Sequence, residues 1–203
     1  TQKPSSAASD VYKRQKNPRI SALFQMDSFE NLDFDSDTTL NLIQEALKIS
    51  VDVWIGYPKN LTYYDGKASI IGQKIISSDL NFGKPRTLKI DEFDFYFIRQ
   101  DPPFNMSYLT NCYLLELHKS FNKKPFFIND PGGIKNFTEK IFPLFFSELM
   151  PKSLVTENEM IFLKMLRKHK HLVIKTLYNK GGEGVVKVSE QNEKKAIKAF
   201  NNI

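Results

Sequence analysis

This 203-residue sequence predicts an α/β fold in which a mainly parallel sheet carries helices on its faces. Three observations lead there. Short apolar runs of strand length alternate along the chain with segments of helical period. The first such series reads strand, helix, strand. A rigid polar loop then follows a later strand, where open sheets of this kind gather their ligand-binding segments.

Residues 20–26 form an apolar run that reads as a buried strand, followed by a polar loop over 27–37. Asp37 suits an N-cap, and Leu40, Ile43 and Leu47 recur at helical spacing, so a helix is expected through Ser50 and a strand over 51–57. Asp65-Gly66 separates two β-prone stretches, 61–64 and 67–71. Its preference for positive φ predicts a type I′ hairpin, a small β excursion. A further buried strand is expected over 93–98. Beyond it, RQDPPFN is turn-rich. Two successive prolines remove two backbone donors and push Asp101 out of the helical region, which makes a rigid loop. A helix over 107–121, with Leu109, Cys112 and Leu117 near one face, and a strand over 125–128 follow.

After Thr138 the pattern changes. Thr156-Glu157-Asn158-Glu159 reads as a capping box opening a helix to His169. A strand over 172–177, the glycine-rich loop YNKGGEG, a second strand over 185–188 and a helix over 190–200 come next. Pro143, near the start of a helix, is expected to kink it just after Lys140.

Hydrophobic residues make up 41% and charged residues 26%, which is ordinary globular composition. One cysteine cannot close an intrachain disulfide, and no apolar run approaches the roughly 18 residues of a membrane span, so a soluble chain in the cytoplasm is expected. The net charge of +6 is unevenly placed: residues 1–16 hold half of it. That stretch has no apolar period, and its run from Asp10 to Gln15 resembles the translated end of a sequencing-library transposon. It is expected to be a disordered leader and an artefact. Residues 17–138, with 13 basic and 15 acidic groups, form the expected first domain; residues 139–203, with 12 basic and 7 acidic, form the second. An excess of +5 there suits an anionic ligand, but charge alone favours a solvated basic helix face.

Gly181, Gly182 and Gly184 join two expected strands. A Walker A loop or a dinucleotide fingerprint needs a helix N-terminus after its glycines, and neither pattern occurs. A protein kinase is excluded too: the spacing is not G-x-G-x-x-G, and no HRD or DFG element is present. A glycine hairpin can instead fold over phosphates, because its backbone N–H groups approach oxygens unobstructed; the plainer reading is a flexible turn. Lys175 interrupts an apolar strand and shares a face with Val173 and Leu177, so it calls for an anion or an edge from which to reach water. His169 and His171 lack further ligands for zinc and are expected to be exposed, and Cys112 to be a buried small side chain without a base.

Taken in order, SALFQMD at 21–27, FIRQDPPFNMSY at 97–108, INDP at 128–131, EKIF at 139–142, LVT at 154–156, VIK at 173–175 and GGEGVVKV at 181–188 resemble the prokaryotic glutathione synthetase family of the ATP-grasp superfamily. The resemblance runs from about residue 20 to about 188. It implies a pre-ATP-grasp, Rossmann-like N-terminal domain followed by the first part of an ATP-grasp α+β subdomain. It also implies an ADP-forming C–N ligase that uses Mg2+ and ATP to join γ-glutamylcysteine and glycine through an acyl phosphate. On the matching positions Lys140 and Lys175 would contact ATP phosphates, Gly181, Gly182 and Gly184 would form the covering loop, and Val173 would wall the adenine pocket. Asp27, Arg99 and Asp101 would face the substrate cleft, or else brace loops by hydrogen bonding. Asn179-Lys180 stands before the glycine pair where the family has Asp-Gly, and Thr176 stands where proline is common. The family's acidic and Asn magnesium ligands are expected beyond residue 203, so no metal site is assigned and the 203-residue piece is expected to be inactive alone. A homo-oligomer stays open. Two alternatives stand beside this reading: another ATP-grasp carboxylate–amine ligase, and a basic nucleic-acid-binding module. The resemblance implies neither a nucleic-acid nor a membrane partner.

Overall fold

The computed structural model describes residues 19–202, apart from Asp35, Ser78 and Lys180. The expected leader, 1–16, lies outside the described residues. The chain divides into two compact units: the described part of Thr1–Gln100 with Tyr113–Pro131, and Asp101–Cys112 with Gly132–Ile203.

The first unit is a six-stranded sheet. Its strands are β1 (Ser21–Met26), β2 (Asp52–Tyr64), β3 (Lys67–Lys74), β4 (Arg86–Lys89), β5 (Phe95–Arg99) and β6 (Phe126–Ile128), in the spatial order β4-β3-β2-β1-β5-β6. β1 pairs in parallel with β2 and β5, and β5 with β6; β3 runs antiparallel to β2 and β4. The fold is thus mixed α/β around a mostly parallel centre. β1 is central and buried on both faces, which explains its nearly unbroken apolar run. Helix α1 (Thr38–Lys48) lays Leu40 and Ile43 on the core formed by Ala22, Phe24, Met26, Val53 and Ile55. Asp37 caps it as expected, accepting from Thr39 N–H at 2.7 Å and Leu40 N–H at 2.9 Å.

Two expectations change here. The stretches 51–57 and 61–64 are one strand: β2 runs on past Pro58, and its register with β3 shifts between Gly56 and Leu61, where a residue without an amide hydrogen is tolerated. The hairpin is therefore part of the main sheet. Asp65 (φ 46°) and Gly66 (φ 79°) form its turn with positive φ at both positions, as a type I′ turn requires. β4 is too short and too polar, as Arg-Thr-Leu-Lys, to show an apolar period.

Helix α2 (Met106–Phe121) leads from β5 towards β6, and the short helix α3 (Pro131–Asn136) follows β6. His118, on α2, is fully buried. Its Nδ1 accepts from Ala68 N–H at 3.0 Å and its Nε2 donates to Lys124 O at 3.0 Å, so the neutral ring ties the hairpin to the segment before β6.

In the second unit, helix α4 (Glu159–His169), strands β7 (His171–Ile174) and β8 (Val186–Ser189), and helix α5 (Glu193–Asn201) enclose a small core of Phe162, Leu166, Val188 and Ala196. Phe162 stacks on Phe200 with centroids 4.6 Å apart, and Arg167 grips Glu193 through Nε at 2.6 Å and Nη2 at 3.0 Å. The N-cap of α4 is Asn158, whose side chain accepts from Ile161 N–H at 3.1 Å. Thr156 instead accepts from Asn158 N–H, so the cap lies two residues after the expected one. β7 ends at Ile174 rather than 177, because its ladder with β8 closes at the Ile174–Val186 pair. The proline effect also lies elsewhere than expected. Pro143 sits in the first turn of a 3-10 segment, Phe142–Leu149, whose break comes at Phe146 (φ −114°, ψ 46°).

Burial holds the His118 imidazole below its usual value of 6.5, although the bond to Lys124 pulls the other way. The unfolded chain therefore takes up this proton at higher pH than the folded one. Stability is full above about pH 6.5 and falls as the pH drops through the folded value. Urea denaturation of the wild type should show this acid loss. His118→Phe should lack it while costing about 1–3 kcal/mol at neutral pH, since Ala68 N–H stays buried without an acceptor. The same acid limb in both proteins would contradict the assignment.

Candidate functional site

In the first unit the candidate residues gather where the strand order reverses. The chain passes from β1 through α1 to β2 on one side, and β5 returns on the other, so the carboxyl ends of β1 and β5 lie side by side at a topological switch point, where sheets of this kind bind ligands. Met26 pairs with Arg99 at that edge, and Asp27 follows Met26 directly. The structure thus brings Asp27 and Arg99 to neighbouring strand ends. The Arg99 guanidinium donates from Nε to Thr39 Oγ1 at 3.1 Å and from Nη2 to Thr38 Oγ1 at 2.7 Å, which braces the first turn of α1. Asp101 is exposed and opens the segment Asp101–Cys112 of the second unit.

Beneath this edge lies a polar chain that the apolar reading of β1 passes over. Tyr96 Oη donates to Gln25 Oε1 at 2.5 Å, and Gln25 Nε2 donates to Gln100 Oε1. All three side chains are buried, and burial drives the Tyr96 phenol well above its ordinary range, so it stays a neutral donor. A glutamine inside a buried strand needs such partners, and that mismatch is the signal in the sequence.

The second unit holds the other candidates. Directly opposed pairs share a face, so His171 with Ser189 and Val173 with Lys187 line the outer side of the β7–β8 sheet, while Leu172 and Ile174 pack inward with Val186 and Val188. Val173 is half exposed at 50%. Lys175, one residue beyond the strand, is exposed, whereas Leu177 is half-buried. The face shared with Val173 stands as expected, but Lys175 does not interrupt an apolar strand. Its alternation with Ile174 carries it outward. Lys187, which attracts no notice in the sequence, lies opposite Val173 on that face, beside an open concavity bounded by His171, Val173, Lys187 and Ser189.

Between the strands, Gly181 (φ 62°), Gly182 (φ 81°) and Gly184 (φ 70°) all take the left-handed region. Val185 N–H donates to Gly182 O at 3.1 Å and Thr176 Oγ1 to Glu183 O at 3.2 Å, which folds the loop on itself. A Cβ on Gly184 would lie 2.5 Å from Thr176 Cγ2, so Thr176 fits where it stands because residue 184 has no side chain. Lys140 reaches the stem of this loop: its side chain is 21% exposed, and its ammonium donates to Asn179 O at 2.5 Å. The structure therefore brings Lys140 and the glycine loop together.

Cys112 is buried, His171 is exposed, and His169 is half-buried rather than exposed. Among the described residues no group of three or more His, Cys, Asp or Glu could hold a metal ion. No helix among them is long and apolar enough to cross a membrane.

Two family descriptions match the chain in succession: the N-terminal domain of prokaryotic glutathione synthetase over residues 20–135 and its ATP-grasp domain over 139–202. Glutathione synthetase of Brucella melitensis biotype 1 is 33% identical over 171 residues, covering 82% of this chain and 54% of the relative. That of Anaplasma centrale is 30% identical over 180 residues, covering 88% and 56%. The chain thus spans about half the length of the curated relatives it matches. A crystal structure of D-alanyl-alanine synthetase A from Vibrio cholerae O1 biovar eltor superposes with a TM-score of 0.53 at 14% identity, covering 91% of this chain and 57% of that one, a likeness of fold.

Gly184→Ala should lower the unfolding free energy by about 1–2 kcal/mol, because alanine resists this φ and meets Thr176. Adding Thr176→Ala should recover the part due to overlap. Urea denaturation of the two variants checks it, and an unchanged midpoint in Gly184→Ala would mean that the loop has another conformation.

Proposed function

The chain belongs to the prokaryotic glutathione synthetase family, and on that premise we propose that it carries the nucleotide-facing and acceptor-facing part of an enzyme that ligates γ-glutamylcysteine and glycine with ATP. The observation that carries this reading is the pairing of Lys140 with the stem of the glycine loop, in a unit whose outer sheet face also presents Val173 and leads to Lys175. The domain division proposed with it falls at about Thr138.

In this reaction the cysteinyl carboxylate of γ-glutamylcysteine attacks the γ-phosphorus of ATP, an acyl phosphate forms and ADP leaves. The amine of glycine then adds to the acyl carbon, phosphate departs, and the amine's proton passes to solvent or base. The protein must neutralise the γ-phosphate, hold the carboxylate in line and keep water from the acyl phosphate. Lys140 and Lys175 would supply positive charge to the phosphates. Gly181, Gly182 and Gly184 would supply backbone donors and a cover. Val173 would pack against the base, with Lys187 opposite it on the same face. Asp27, Arg99 and Asp101 would belong to the acceptor side. The bonds from Arg99 to Thr38 and Thr39 suit a role in holding that edge in shape, the bracing alternative. Magnesium, which the family uses with ATP, would screen the phosphates when bound. No described cluster fits it, so no step is routed through it.

Assays on the product of the full reading frame test the proposal. With ATP, γ-glutamylcysteine and glycine should give glutathione and ADP, whereas D-alanine as sole acceptor should give neither; turnover with D-alanine alone would move the reading to another ATP-grasp ligase. Lys140→Ala and Lys175→Ala should each weaken ATP binding by about 10- to 100-fold, the worth of one charge-assisted hydrogen bond. Undiminished affinity in both variants would remove the lysines from the phosphate site.

A further inference from the structure

We infer that Phe104 is a positioning residue for the phosphate-covering loop, acting through Tyr178; this rests on the ATP-dependent reading above. The segment that carries Phe104 is stiff on both sides. Pro102 and Pro103 precede it, with φ restricted at two successive positions and no amide hydrogen at either. Asn105 follows and accepts at Oδ1 from Tyr108 N–H at 3.1 Å, which starts α2. The first backbone donor after the proline pair is thus the Phe104 amide. It donates to Tyr178 O at 3.0 Å.

The side chains reinforce that bond. The Phe104 ring lies near-parallel to the Tyr178 ring, with centroids 6.5 Å apart and 25° between planes, and tilts against Tyr108 at 4.9 Å. Tyr178 is 51% exposed, so packing in a core does not hold it. Its neighbour Asn179 receives the Lys140 ammonium. Two consecutive carbonyls at the loop stem are therefore tied by donors from two separate segments. From that stem the chain enters Gly181 and Gly182, which are otherwise free to sample many conformations. A stem held in one orientation leaves less entropy to lose when the loop closes over phosphates. The segment that follows Asp101, itself placed by resemblance on the acceptor side, would thus also serve ATP.

The test is a double-mutant cycle on the product of the full reading frame, with titration of a fluorescent ATP analogue as the readout. Phe104→Ala and Tyr178→Ala should each weaken the analogue about three- to tenfold, as expected for one aromatic pair. The double variant should bind no worse than the weaker single, and Phe104→Tyr should restore affinity. Hydrogen exchange should quicken across residues 176–185 in Phe104→Ala and stay unchanged in β8 and α5, which general destabilisation would not spare. If Phe104→Ala fails to fold, Tyr178→Ala probes the same contact from its half-exposed side. Additive losses, or loop exchange equal to wild type, would overturn the inference while leaving the ATP reading intact. A wild type that binds no analogue would overturn both.

Discussion

The hydrogen bonds that seize the carbonyls of Tyr178 and Asn179 govern how the second unit can work. A loop with three glycines in the left-handed region has little conformational preference of its own. Its direction is set at the stem, where Phe104 N–H and the Lys140 ammonium arrive from different parts of the chain. Thr176 closes the far side through Glu183 O. The loop also joins two antiparallel strands rather than a strand and a helix, so no helix N-terminus follows its glycines. On the proposed reading the positive charge would come from side chains, Lys140 and Lys175 first, with Lys187 on the outer face of the same unit.

The first unit meets a different constraint. A parallel centre with β1 at the reversal of strand order creates an edge at which Met26 and Arg99 end side by side. Charged groups at such an edge need a firm base, and buried polar contacts provide it. Tyr96, Gln25 and Gln100 lock β1 to the end of β5 from below, and Thr38 and Thr39 hold the Arg99 guanidinium from the side. At the opposite end of the same strands, Asp94 binds Ser21 and Lys124. The Lys124 hydrogen bond foremost, with the Ser21 amide, keeps the Asp94 carboxyl below the usual carboxylate range. The sheet is thus pinned at both ends of its central pair.

Much of this was legible in the residues. The N-cap of α1, the Asp65-Gly66 turn and the central apolar strands follow from local chemistry, and the structure repeats them. β4 was not legible, because four residues with two charges carry no period and exist as a strand only through β3. β7 ends short of its expected limit for a similar reason. Apolar residues continue to Leu177, but a strand lasts only as long as its partner, and β8 starts at Val186. In the site, lysine and glycine types announced themselves. The hydrogen bonds that orient them involve backbone groups of residues such as Tyr178 and Phe104, whose identities say nothing about who will accept or donate. Gln25 carries a signal that the apolar reading of β1 passes over: a polar residue in an apolar strand whose burial requires a partner.

A structure of the full-length product with a non-hydrolysable ATP analogue measures the central claim directly. The account predicts the Lys140 and Lys175 ammonium nitrogens, together with amide nitrogens of the glycine loop, within about 3 Å of phosphate oxygens. An analogue bound elsewhere, or those two ammonium groups turned away from its phosphates with the loop standing open, would contradict it.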